Sequence, residues 1–191
     1  MAHIVEIDNF WKSLSASGKD KPTQLQRYEK KNAPECIHRF IAIGGGSKMG
    51  ITLEKYARFK FKNLHKRGMG NDKTGYDHII KLHTKDILVE QKSSGHWGED
   101  DYKWQHIEIN HKWTMLLLCG IDYTDVKFWG MDRKTFNRLI SDKKITNQGN
   151  KTGCSSEGMW FNFSDVKEYM FEIQTDEDLL QFASALEVSD E

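Results

Sequence analysis

The chain is poor in the residues that would assign it to a specialised compartment. It holds three cysteines, Cys36, Cys119 and Cys154, far apart, odd in number and without a Cys-x-x-Cys pair. Neither a disulfide framework nor a zinc ribbon is indicated, and a reducing compartment is expected. No apolar run approaches the about 20 residues of a membrane span. The longest strong one is residues 115–121. Residues 1–8 lack the basic region and apolar stretch of a signal peptide, so an intracellular, cytoplasmic protein with no membrane partner is expected. Net charge is also lacking, with 28 basic residues against 28 acidic ones. The balance conceals an asymmetry. Residues 165–191 contain nine Asp or Glu and only Lys167, leaving residues 1–164 with 27 bases against 19 acids. A basic body beside an acidic tail permits a positive face for phosphate binding, although a solvated surface explains it nearly as well. The 191 residues suit one domain with a sizeable core.

What is present centres on residues 75–92. Residues 76–82 and 86–92 are β-rich runs joined by His83, Thr84 and Lys85, which reads as a β-hairpin. Strand side chains alternate faces, so Glu90 and Lys92 point the same way. An antiparallel neighbour brings Asp77 beside them. Two carboxylates at close range repel unless neutralised, and a divalent cation does this best. Mg²⁺ takes oxygen ligands, typically one or two carboxylates with phosphate and water. A lysine two residues on is placed to position a water or offset charge on a phosphate. That set suits phosphodiester hydrolysis. The alternative is a solvated strand face with cross-strand ion pairs. Against it, the run Ile87-Leu88-Val89 is apolar enough for a buried strand, and a Glu and a Lys at its end need a reason.

Taken in order, residues 1–22 read as a short docking segment or helix around Phe10 and Trp11, then a loop ending near Pro22. Residues 23–32 look helical and Pro34 stops them; residues 37–43 fit helix or strand. The stretch 44–50, Gly-Gly-Gly-Ser-Lys-Met-Gly, has the wrong order for a P-loop and is expected to be a mobile loop with Lys48 near a DNA backbone. Residues 51–67 form the clearest helix, with Thr52 as N-cap. Leu53, Tyr56, Ala57, Phe61 and Leu64 make its buried stripe. Its one acid, Glu54, either suits the helix dipole or is a third carboxylate reaching the metal site. Gly68 and Gly70 end it. Residues 93–101 read as a polar loop at the mouth of the site, with Ser93, Ser94, His96 and Trp97 suited to nucleic acid. Residues 102–107 look like a short helix carrying Lys103, Gln105 and His106. His96 and His106 lack zinc spacing, so solvated or hydrogen-bonded histidines are expected. Strands are expected at 113–119, 126–131, 159–163 and 169–173, and a turn at 122–125. Helices are expected from Asp132 to Ser141 and over 176–186, and a polar loop over 142–158.

In this order the chain resembles the PD-(D/E)xK nuclease superfamily. The matching parts are Gly75-Tyr76-Asp77, then Val89-Glu90-Gln91-Lys92 on a hairpin, after a helix bearing Glu54. Residues 104–107 leading into 113–121 resemble the helix and core strand that follow the active site in restriction-type members. Tyr76 stands where a Pro is common. The likeness covers about residues 50–131, with 1–49 an N-terminal helical segment and 132–191 a C-terminal helix and strand extension. It implies an α/β fold with a restriction-endonuclease-like core, a mixed central β-sheet flanked by helices. It implies Mg²⁺-dependent cleavage of double-stranded DNA, with Mn²⁺ as a substitute. Asp77 and Glu90 would bind the metal, with the Gln91 carbonyl as a further ligand. Lys92 would orient or activate the attacking water, Glu54 would bind a second metal or tune the first, and Gln105 would help place substrate or water.

The leading expectation is a type II restriction-type endonuclease acting as a homodimer. It would read DNA through loops around the site, with Asn147, Gln148, Asn150 and Lys151 reaching base edges. The alternatives are a repair or structure-selective nuclease with the same chemistry, a binding module that lost the reaction, and a structural α/β domain in which the same residues form a surface salt bridge.

Overall fold

The computed structural model describes residues 23–68, 75–97, 100–147 and 158–188, with side chains to residue 186. Among the described residues the first elements are the helices α1 (Gln24–Lys30), α2 (Glu35–Ala42) and α3 (Gly46–Lys60). Strands β1 (His65–Lys66), β2 (His78–Lys81), β3 (Asp86–Trp97), β4 (Asp101–Ile107), β5 (Met115–Ile121) and β6 (Val126–Asp132) follow. Helix α4 (Arg133–Ser141), β7 (Thr146–Asn147), β8 (Met159–Asn162), α5 (Phe163–Val166), β9 (Phe171–Glu172) and α6 (Asp176–Val188) complete the order. Among the described residues the nine strands form one sheet in the order β7-β8-β4-β3-β5-β6-β9, with β2, carrying β1, also paired to β3. The β3–β5 pairing is parallel and the others are antiparallel. The fold is therefore mixed α/β, an open mixed sheet flanked by helices.

Each face of the sheet buries its own core. On one face, Val89, Met115, Leu117 and Cys119 pack beneath Leu53, Ala57 and Phe61. On the other, Leu116 and Leu118 meet Trp104, Trp113, Phe136 and Phe161. All seven residues of β5 are buried, which is why its sequence is continuously apolar rather than alternating. Large rings such as Trp104 and Phe136 are wholly inside, and truncating such a residue to Ala costs about 3–5 kcal/mol.

β3 organises the site because it outlasts its neighbours. On one edge β5 covers residues 89–95. On the other, β2 pairs only residues 86–89 and β4 only residues 96–97. Between them, among the described residues, no strand pairs that edge of β3 over residues 90–95.

Several expectations are corrected. Residues 93–97, expected as loop, continue β3, with 93–95 paired to β5 and 96–97 to β4. Residues 102–107, expected as helix, are strand β4. Their alternation of buried Tyr102 and Trp104 with less buried Lys103 and Gln105 has the period of a strand, which a reading by composition passes over. The long helix begins earlier and ends sooner, at Gly46 and Lys60. Thr52 is inside it, and its hydroxyl donates to the carbonyl of Lys48 at 2.9 Å instead of capping. Part of the glycine-rich stretch, expected as loop, is thus the first turn of α3. Of residues 37–43, 37–42 are helix and Ile43 is its C-cap, with Pro34 at the N-cap of α2 rather than only a stop. Residues 167–169 form a 3₁₀ turn before the short β9. Within the expected loop 142–158, Thr146 and Asn147 pair with β8.

Other elements agree with their sequence signals. The turn after β5 closes through Asp122 N–H to the Asp125 carbonyl at 2.7 Å. Asp132 caps α4 by accepting from Thr135 N–H at 2.7 Å. No helix among the described residues is long and apolar enough to cross a membrane. The segment around Phe10 and Trp11, Gly70, Gln148, Asn150, Lys151 and Cys154 lie outside the described residues.

Candidate functional site

The hairpin forms as its sequence requires. Leu82 N–H donates to the Lys85 carbonyl to close the turn, and His78 lies opposite Val89. Asp77 precedes β2 and continues its ladder, donating N–H to the Val89 carbonyl at 2.8 Å. Its carboxylate then accepts from Gln91 N–H at 2.9 Å, so the side chain replaces the missing strand at the open edge. Gly75, two residues before, has φ +69, and a Cβ there would sit 1.9 Å from the His111 ring. Only glycine fits both demands.

Side-chain alternation puts Glu90 and Lys92 on one face of β3. Lys92 Nζ is 2.7 Å from Glu90 Oε1. Glu90 is only 5% exposed. Burial, with the charges of Asp77 and Glu54, raises its carboxyl to about 7 against the opposing pull of Lys92. Glu54, one turn before Arg58 on α3, is likewise raised, first by burial and then by Asp77. These three carboxylates and Lys92 line one cleft of about 710 Å³. Within a strand the N–H and C=O of one residue point to the same side. Gln91, whose N–H meets Asp77, therefore aims its carbonyl at the same open edge.

Gln105 and Lys103 of β4 line the same cleft, as do Ser93, Ser94 and Trp97 farther along β3. Trp97 is 56% exposed, whereas Ser94 and His96 are buried. Ser94 Oγ accepts from Lys103 N–H at 3.1 Å, and His96 Nε2 lies 3.1 Å from Asp122 Oδ1, so both are engaged inside the protein. Lys48 is exposed on the first turn of α3 beside cleft-lining Ser47 and Met49. Asn147 is exposed on β7, at the far end of the sheet order from β3.

Sequence reasoning missed the row behind the cleft. Arg58 Nη1 lies 2.8 Å from His78 Nδ1, and His78 Nε2 lies 2.9 Å from Gln91 Oε1. A guanidinium only donates, so Nδ1 is the bare nitrogen and Nε2–H donates to Gln91. Burial, together with Arg58, lowers the His78 pKa to about 4, which keeps the ring neutral. The usable signal was the alternation that puts His78 and Gln91 on the helix-covered face.

The donor set can be tested against a metal. Among the described residues no three His, Cys, Asp or Glu side chains cluster as a metal cage. Two carboxylates and an edge carbonyl are hard oxygen donors, and Mg²⁺ accepts such an incomplete set because it keeps several waters. The residues fit Mg²⁺ or Mn²⁺ and do not fit a structural zinc site. No family model, curated protein or solved structure matches the chain.

Proposed function

We propose that the protein is a Mg²⁺-dependent endodeoxyribonuclease that hydrolyses phosphodiester bonds of double-stranded DNA, on a restriction-endonuclease-like core. The observation that carries this reading is a buried Glu90, raised to about 7, beside Asp77, Glu54 and Lys92 at an open strand edge. Such a group of acids is stable only when a cation or protons offset it. Asp77, Glu90 and the Gln91 carbonyl would hold Mg²⁺, which supplies Lewis acidity at the scissile phosphate. Lys92, paired to Glu90 and partly open to solvent, orients the attacking water and offsets charge on the phosphate. Glu54 tunes the charge of the cleft from the helix side, and Gln105 of β4, which lines the same cleft, helps place the substrate or water. Trp97, Ser93 and Lys48 form the rim on which the DNA backbone rests. Action as a homodimer on a short site, in the manner of a type II restriction enzyme, belongs to the same reading.

The test is incubation of plasmid with the protein, with and without Mg²⁺, and with Asp77→Ala as control. Discrete metal-dependent fragments, lost in the variant, are expected. Smears or cuts confined to branched DNA would move the reading to a repair or structure-selective nuclease. The absence of metal-dependent cutting on every substrate would overturn it.

A further inference from the structure

Burying a guanidinium beside an imidazole is costly unless every polar atom is used. Here the expense falls on residues that stand in step with the cleft. Arg58 is one helical turn from Glu54 and reaches it at 3.8 Å. His78 is fully buried, the chain neighbour of Asp77 on the other face of β2. Gln91 separates Glu90 from Lys92 and points to the other face of β3. Its side chain continues the row, donating Nε2–H to Ser93 Oγ at 3.3 Å. Gln91 is therefore fastened twice, by its backbone N–H to Asp77 and by its side-chain oxygen to His78. Arg58 thus reaches Glu54, the Gln91 backbone reaches Asp77, and His78 joins Arg58 to Gln91 behind them.

We propose that Arg58, His78 and the Gln91 side chain form a positioning strut for a divalent-cation site. The strut ties α3 to the β2–β3 hairpin, sets the spacing of Glu54, Asp77 and Glu90, and holds the Gln91 carbonyl at the open edge. This rests on the cleft being a cation site. A strut that orients ligands from behind changes metal affinity about 10–100-fold when cut, without touching the ion. A row that only stabilises the hairpin lowers the melting temperature and leaves the affinity of the folded protein unchanged.

The experiment is calorimetric titration of Mn²⁺ into the full chain at pH 8, with circular dichroism to show that each variant is folded. Arg58→Met and His78→Ala are expected to weaken Mn²⁺ binding about 10-fold or more. Arg58→Lys, which keeps a cationic donor toward His78 and Glu54, should recover to within about 3-fold. His78→Asn, which keeps the acceptor toward Arg58 and loses the reach to Gln91, should fall between. It also serves where His78→Ala does not fold. Wild-type affinity in folded Arg58→Met or His78→Asn overturns the strut alone, provided Asp77→Ala still abolishes binding. A wild-type chain that takes up no Mn²⁺ overturns the strut and the cation site together.

Discussion

Glu90 and Asp122 are both shielded carboxylates with a lysine at hand, yet their ionisation is pushed in opposite directions. Asp122 follows β5 and accepts from Lys127, from His96 and from the Tyr123 N–H. Burial pushes its pKa up, but those hydrogen bonds outweigh it and hold the group at about 2. Glu90 has one partner, Lys92, and two acids nearby; burial wins and the group rises to about 7. The first site is complete as folded. In the second, burial outweighs the one lysine that Glu90 pairs with, a condition that a bound cation would relieve.

The sharpest way to break the comparison is to remove the two lysines in turn, beginning with Lys92. Lys92→Ala should lower metal-dependent cleavage by about 10²–10⁴-fold while DNA binding, followed by gel shift, stays mostly intact. Undiminished cutting would remove Lys92 from the water-orienting role.

The next effect is on stability, and it has opposite signs at the two sites. A carboxyl raised above its unfolded value binds a proton more readily when folded. Glu90 therefore loses stability as pH rises from about 4.5 to 7. Glu90→Gln, which resembles the protonated form, should be more stable than wild type by about 2 kcal/mol at pH 8 in chelator. The two should converge at pH 4 and below. Asp122 is depressed, so its contribution is present above its unfolded value and is lost as pH falls toward about 2. Asp122→Asn should be less stable at pH 7 by about 1–2 kcal/mol. Urea unfolding at several pH values checks both signs.

Cation binding sharpens the same contrast. If Glu90 must lose its proton to bind, Mg²⁺ affinity should rise between pH 6 and 8 and level off above. Saturating Mg²⁺ should then raise the melting temperature of wild type at pH 8 and leave Glu90→Gln nearly unmoved. At 100 times Kd the gain is about 2.7 kcal/mol. Equal stabilisation of both proteins would place the ion elsewhere.

How much of this could be read from the residues follows from where the information lies. Asp77, Glu90 and Lys92 were legible because β-alternation and a hairpin turn are local signals, and both survive folding. Asp132 as a cap and the apolar run of β5 were legible for the same reason. Residues 93–97 were not, because Ser, Ser, Gly and His have little strand propensity. They are extended because β5 offers seven consecutive parallel partners over residues 89–95 and β4 pairs residues 96–97. Tyr102 to Ile107 went the same way: pairing to β8 and two buried aromatic rings decide the strand. The Arg58–His78–Gln91 row was hidden for a different reason. Its members are 20 and 13 residues apart in the chain and meet only once α3 lies on the hairpin. Ser94 and His96 carry polar side chains that a sequence reading turns outward; their partners Lys103 and Asp122 lie on other elements and turn them in.

The smallest effect completes the lysine pair. Lys127 is 42% exposed, so its ion pair with Asp122 is screened and costs side-chain entropy to hold. His96 and the Tyr123 N–H remain as partners of Asp122 when it is removed. Lys127→Met should therefore lower stability by at most about 0.5–1 kcal/mol, with cleavage and Mn²⁺ binding as in wild type. The two lysines differ in what is left behind. Removing Lys127 leaves a carboxylate that still has two donors, whereas removing Lys92 leaves a buried acid facing two others. A loss of cleavage in folded Lys127→Met comparable to that of Lys92→Ala would show that the two carboxylate sites act as one.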